Sequence, residues 1–267
     1  MKTLAGMEYD ERGAGEVVCL VHAGVFGAWF APLFERPELD GFRVIRPIRP
    51  GYGGSPAPAA GTSLAYHARR CGELLHELGV ERAHWVGHSS SCCIGLQLAL
   101  DDPHLVASLI LFEPAKPSGG VRDAHASSYA GAALDAAARG EIPAAFDVFL
   151  RGVGGDGYRQ ALRRQIGEDG LSAAIGESAY FFAHEMPALA AWSFGPVEAN
   201  AVTAPTIVLT GAATRPWFRE NATILAAMLP HPETLTLPGL NHLAPLTDPA
   251  TLAQAITGYV HRVPARS

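Results

Sequence analysis

The sequence predicts an α/β fold, a mostly parallel central sheet with helices on both faces, and two observations predict it. Four short runs rich in β-branched and aliphatic residues, Val17 to Val21, Val44 to Ile48, Ala83 to Val86 and Leu109 to Phe112, each lead through a Gly- or Pro-containing turn into a longer segment of helical spacing. At 267 residues the chain is long enough for one large domain and too short for two ordinary ones with a linker.

Taken in order, the first two runs precede a helix expected over Leu64 to Leu78, and the third precedes one over Ser91 to Leu100. After the fourth run the strand signal disappears between Pro114 and Ala204. This stretch is helical in texture over Ser128 to Arg139, Pro143 to Leu150, Tyr158 to Ile166 and Ser172 to His184, with a Gly-rich break at Gly152 to Gly157. Strands resume at Thr206 to Thr210 and Thr234 to Leu237, followed by helices over Phe218 to Met228 and Pro249 to His261. A helical insertion in such a sheet sits on one end of it, and ligands bind at the carboxyl ends of the strands. The expected division is a core of residues 1–114 and 204–267 with a lid of residues 115–203. The lid carries Phe146, Phe149, Tyr158, Tyr180, Phe181, Phe182, Trp192 and Phe194, enough aromatic surface both to pack itself and to face a ligand.

Composition narrows the function. Twenty basic against twenty-six acidic side chains give a formal charge of -6, so there is no basic field for a nucleic acid or an anionic membrane, and neither partner is expected. Cys19, Cys71, Cys92 and Cys93 fit no metal-ligand spacing and read as reduced core residues of a cytoplasmic protein. Met1 to Glu16 is charged and lacks the apolar stretch of a signal peptide, and no run approaches the roughly 18 apolar residues that cross a bilayer. Neither GxGxxG nor GxxxxGK[ST] occurs in a strand-turn-helix context, so no metal, nucleotide or organic cofactor is expected.

The chemistry is concentrated in four places. Ala83 to Val86 runs straight into Gly87-His88-Ser89-Ser90-Ser91 and then a helix, the pattern of a nucleophile elbow in which a sharp turn exposes a serine hydroxyl above the sheet. Ser89 is the expected nucleophile. Ser91 stands where glycine is usual, and it keeps that side chain small. After the first strong strand, His22-Ala23-Gly24-Val25-Phe26-Gly27 can aim a backbone N–H into the pocket. Paired with the N–H of Ser90 it would stabilise an oxyanion, with Gly24 as the expected donor and Val25 in reserve and against the substrate. His22 reads as a structural residue that ties the loop.

A serine hydroxyl needs a base, and the base needs an acid to hold its tautomer. His242 occupies the late loop Leu237-Pro238-Gly239-Leu240-Asn241-His242-Leu243 and is the expected base; His231 reads as surface. The usual acid position, three residues past the glycine that ends Thr206 to Thr210, is Thr214 here. The alternative is Glu113, a single carboxylate at the carboxyl tip of Leu109 to Phe112, whose burial demands a partner such as His242. Asp248 beside Pro249 reads as a helix N-terminal residue.

With Gly87-His88-Ser89-Ser90-Ser91, Glu113 and His242 in place, the chain resembles the α/β-hydrolase superfamily over nearly its whole length. The Ser-Ser pair, the Glu113-Pro114 ending, Gly211-Ala212-Ala213-Thr214 and Asn241-His242 look like the zearalenone lactone hydrolases. That resemblance implies a glutamate acid after the sixth strand and a lid tryptophan at the substrate, for which Trp192 is the counterpart. The expected activity is hydrolysis of an apolar ester or lactone through an acyl-enzyme, an aromatic macrolactone of the zearalenone type fitting best, by a monomer or homodimer. A general carboxylesterase, a thioesterase or carbon-carbon hydrolase, and a non-hydrolytic small-molecule binder on the same scaffold are the alternatives.

Overall fold

A computed structural model describes residues 1–59, 61–115 and 124–263. Eight strands, β1 (Lys2–Leu4), β2 (Met7–Arg12), β3 (Val17–Val21), β4 (Arg43–Pro47), β5 (Ala83–His88), β6 (Val106–Phe112), β7 (Thr206–Gly211) and β8 (Glu233–Leu237), form one sheet in the order β1-β2-β4-β3-β5-β6-β7-β8. The pairs β1 with β2 and β2 with β4 are antiparallel, and every other pair is parallel. The predicted α/β class and mostly parallel sheet are therefore observed.

The central parallel strands β3, β5, β6 and β7 are buried on both sides, and their period of two sorts residues onto two cores, whereas β8 at the edge is largely exposed. Cys19, Val21, Trp85, Leu109, Leu111 and Val208 face one core; Val18, Leu20, Val86, Ile110, Phe112 and Leu209 face the other. A one-turn helix, α1 (Ala31–Phe34), lies on the second side. On the first lie α2 (Leu64–Glu77), started by the Ser63 side chain accepting the Tyr66 N–H, and α3 (Ser90–Asp101).

Between β6 and β7 come α4 (Ala124–Ala138), α5 (Ile142–Gly154), α6 (Tyr158–Tyr180), α7 (Met186–Ala191) and α8 (Pro196–Ala201). The two helices expected over Tyr158 to Ile166 and Ser172 to His184 are one continuous arm kinked at Gly167, whose φ of 72° breaks the helical geometry. Its end widens into a π-helical turn, Phe181–Glu185. The chain then returns through α9 (Pro216–Met228), the single turn α10 (Ala244–Thr247) and α11 (Pro249–Val260), capped by Asp248, which accepts the Thr251 N–H. Asp248 is thus a helix cap, as read from the sequence.

The N-terminal hairpin has no counterpart in the sequence reading. Met7 and Tyr9 turn inward, but the following residues Asp10 and Glu11 are charged and pair with β4, Asp10 with Arg46 and Glu11 with Arg43. A half-buried hairpin at the edge of the sheet, with ionic cross-strand partners, carries too little apolar signal to stand out. All four cysteines are buried and unbridged. Among the described residues no helix is long and apolar enough to cross a membrane.

Candidate active site

The carboxyl ends of β5, β6, β7 and β8 bring the predicted residues to one edge of the sheet. Ser89 joins β5 to α3 with φ 56° and ψ -117°, a conformation that strains any L-residue and lifts its side chain clear of the strand. The turn is held from below: Ser89 N–H donates to the Phe112 carbonyl at 3.1 Å. Ser91, the departure from glycine, closes the elbow, since its Oγ accepts the His88 N–H at 2.7 Å and donates to the Val21 carbonyl at 2.6 Å. Gly87 cannot change, because a Cβ there would stand 2.7 Å from the Ser91 carbonyl oxygen.

Glu113, at φ 50°, is fully buried one residue past β6. Its Oε2 accepts from His242 Nδ1 at 2.8 Å and from the Thr214 hydroxyl at 2.9 Å, and its Oε1 accepts the Gly211 N–H at 2.9 Å. Thr214, at the position where an acid is usual, thus donates to the carboxylate that takes that place from the neighbouring strand. Gly211 is needed for this, because a Cβ would lie 2.1 Å from the Leu240 carbonyl oxygen and displace the loop that carries His242.

His242 is held on both faces and along its backbone. Its ring stacks on Phe218 at 3.8 Å between centroids, and His88 lies 4.4 Å away on the elbow beside Ser89. Asn241 Oδ1 accepts the Leu243 N–H, fixing the turn around it. Burial pushes the Glu113 carboxyl up to about 7, opposed by the Gly211 N–H, the Thr214 hydroxyl and the charge of Arg219. Burial pushes the His242 imidazole down to about 3, which favours the neutral ring, and the tautomer that donates Nδ1–H to Glu113 leaves Nε2 as the acceptor.

Two expected residues are placed otherwise. Gly24 N–H, expected to face an oxyanion, donates to Ser90 Oγ at 2.9 Å and is not free for a ligand. The neighbouring Val25 has φ 78°, a genuine outlier for a β-branched residue. No hydrogen bond among the described residues engages the N–H of Val25 or of Ser90. The Gly24 N–H is thus taken up inside the loop, and the reserve residue Val25 is the one whose N–H has no such partner among the described residues. Trp192, expected at the substrate, packs beside Phe194 into the core that holds Cys92, Cys93 and Leu96, and its indole N–H donates to Gln97 at 2.9 Å. It faces α3, the helix that carries Gln97. The other aromatics of the helices between β6 and β7, Phe146, Phe149, Tyr158, Tyr180, Phe181 and Phe182, gather instead with Val25, Trp29, Phe218 and Leu243, and Trp29 and Phe218 of this cluster lie against His242.

His22 ties the loop as read from the sequence, its Nε2 accepting the Arg49 N–H at 2.9 Å and its Nδ1 meeting the Ala23 carbonyl at 2.7 Å. Arg49 and Glu185 form a second buried cluster that no motif in the sequence marks. Both are fully buried, and the guanidinium meets the carboxylate through Nη1 at 3.0 Å and Nη2 at 3.1 Å. Tyr52 and Ser90 donate to the same carboxylate. Burial would raise the Glu185 carboxyl, but Arg49 outweighs it and holds the group down at about 2. A Glu and an Arg 136 residues apart carry no sequence signal of partnership.

The profile of the alpha/beta hydrolase fold matches residues 16–155. RutD of Variovorax paradoxus, which bears the name of a carbamate hydrolase, is 30% identical over 97% of this chain and 97% of its own. The dihydrolipoyllysine-residue acetyltransferase component of the acetoin cleaving system of Cupriavidus necator is 32% identical over 55% of this chain, and the match spans 39% of that protein's length. Among solved structures, Est816, described as an N-acyl homoserine lactone degrading enzyme, superposes with a TM-score of 0.70 at 24% identity, over 95% of this chain and 96% of its own.

Proposed function

This chain belongs to the alpha/beta hydrolase fold family, and from that premise we propose that it is a serine hydrolase cleaving an apolar carboxylic ester or lactone through an acyl-enzyme on Ser89. The observation that carries the reading is the buried hydrogen bond from His242 to Glu113 beside the strained elbow. In the reaction, His242 Nε2 takes the Ser89 Oγ proton as the oxygen adds to the carbonyl carbon. Glu113 holds the imidazole in the tautomer that leaves Nε2 free and stabilises the imidazolium that forms. The N–H groups of Val25 and Ser90 take the developing oxyanion. Collapse expels the alkoxide, which leaves with the proton from His242. A water, deprotonated by the same imidazole, then releases the acid.

The substrate class follows from the aromatic cluster beside Val25 and His242, which suits an apolar acyl group and offers little to a highly anionic one. The narrower reading, an aromatic macrolactone of the zearalenone type, rests on the Glu113 acid position, the Gly211-Ala212-Ala213-Thr214 and Asn241-His242 loops and an aromatic lid with Trp192; with the Trp192 indole N–H on Gln97, the third of these lends it no support, and an apolar ester or lactone is the better-supported class. A carbamate is the second reading, favoured by the full-length similarity to RutD. The same attack on a carbamate carbonyl expels an amine or alkoxide.

The test is Ser89→Ala assayed on matched aryl ester, lactone and carbamate substrates. Loss of roughly 10³-fold or more in kcat on whichever of them the wild type turns over supports the reading. Activity kept within tenfold rejects it, and wild-type protein that binds these compounds without turnover turns the reading toward a binding protein.

A further inference from the structure

The arm that ends in Phe181–Glu185 holds the loop Gly24 to Gly27 at both ends. At one end, Glu185 accepts from Ser90 Oγ at 2.6 Å, and that same oxygen accepts the Gly24 N–H at 2.9 Å. At the other end, Glu177 Oε2 accepts the Gly27 N–H at 2.7 Å. The arm lies directly on the loop, since a Cβ at Gly24 would stand 2.3 Å from the Phe181 ring and 3.0 Å from Glu185 Oε1. Glu185 is itself fixed, by the two-point contact with Arg49 and by Tyr52, so it cannot follow the loop if the loop moves. Between the two clamps sits Val25 at φ 78°. A β-branched residue leaves that region unless its neighbours are pinned, and a rotation of its peptide would turn the N–H out of the site.

We propose that Glu177 and Glu185 are positioning residues, which clamp the two ends of the Gly24 to Gly27 loop and thereby aim the Val25 N–H at the oxyanion of the transition state. The inference rests on the serine hydrolase reading above. It makes the rate depend on two carboxylates contributed by the helical arm, neither of which touches substrate.

Ser90→Ala removes the hydroxyl relay while leaving the Arg49 to Glu185 pair and the Ser90 N–H in place. Glu177→Ala removes the other clamp, and Glu177→Gln keeps an oxygen that can accept from Gly27. Each variant is measured for kcat and KM on an aryl ester, and for affinity to an aryl trifluoromethyl ketone, which adds to the serine and places an oxyanion in the hole. The expected result for Ser90→Ala and Glu177→Ala is a kcat lower by roughly 10- to 100-fold with KM nearly unchanged. Ketone affinity should fall by a similar factor, and Glu177→Gln should recover most of both. Unchanged kcat and ketone affinity in Ser90→Ala and Glu177→Ala, a loss confined to KM, or Glu177→Gln as impaired as Glu177→Ala, overturns the proposal. Those results count only against a wild type that loses its activity on Ser89→Ala; if Ser89→Ala keeps it, the underlying hydrolase reading fails instead.

Discussion

Two carboxylates in this molecule are buried to the same degree and treated in opposite ways. Glu113 and Glu185 both have no exposed surface. Glu113 is held by a peptide N–H, a threonine hydroxyl and an imidazole, and burial lifts it to about 7. Glu185 is held by a guanidinium with a tyrosine and a serine hydroxyl, and it stands at about 2. A carboxylate surrounded by neutral donors, with no counter-ion in contact, is left to stabilise the positive charge that develops on the imidazole. A carboxylate locked to an arginine is not, so it serves to fix geometry. The difference separates chemistry from architecture at two sites that meet at the adjacent residues Ser89 and Ser90.

The sharpest way to break that contrast is to neutralise the first carboxylate. Glu113→Gln keeps the shape and removes the charge that holds the His242 tautomer, and the rate on an activated ester is expected to fall by about 10⁴-fold. Among the described residues no cationic side chain is hydrogen-bonded to that carboxylate, so no buried ion pair is broken and the stability loss should stay within about 1–3 kcal/mol, for the donor left facing the new amide. A fall of less than tenfold would mean that His242 is oriented by something else.

The second carboxylate should answer in the opposite currency. Arg49→Met leaves Glu185 buried without its counter-ion and is expected to lower unfolding free energy by about 3–5 kcal/mol, read from urea denaturation. Because Glu185 is depressed to about 2 from an ordinary 4.5, its contribution is present above pH 4.5 and is lost as the pH falls toward 2. The stability gap between wild type and Glu185→Gln should therefore narrow as the pH is lowered from neutrality through that window. A gap that is flat or widens would show that the carboxylate is not charged in the fold.

Trp192→Phe gives the smallest effect. It removes the indole N–H from Gln97 while keeping an aromatic ring in the core, for a stability loss of about 1 kcal/mol. Turnover of a bulky aromatic lactone and of a short aryl acetate should be reduced alike, if at all. A selective loss on the lactone would return Trp192 to the substrate.

What the sequence made legible at this site was local. Gly87 to Ser91 names its own turn because small residues must flank an exposed serine there, and the isolated carboxylate ending Leu109 to Phe112 announces a buried partner. The central parallel strands were legible for a related reason, since burial on both faces leaves a dense apolar run. What escaped depends on distant pairing or on direction. Nothing in Gly24-Val25 reveals which N–H the Ser90 hydroxyl will occupy, because that choice is made by the arm carrying Glu185. Trp192 is aromatic and in the right segment, but sequence position does not say which side of α3 the returning chain will cover. Arg49 and Glu185 sit in unremarkable contexts, and only the closure of the arm on the core brings them together.

The most direct test is to trap the covalent intermediate. Wild-type protein is quenched in acid during turnover of an activated aryl ester, digested and mapped by mass spectrometry, alongside a sample labelled with a fluorophosphonate. The serine hydrolase account predicts one acyl group and one phosphonyl group per chain, both on the peptide containing Ser89, and neither in Ser89→Ala. Sustained turnover with no adduct, or an adduct on another side chain that persists in Ser89→Ala, would contradict it.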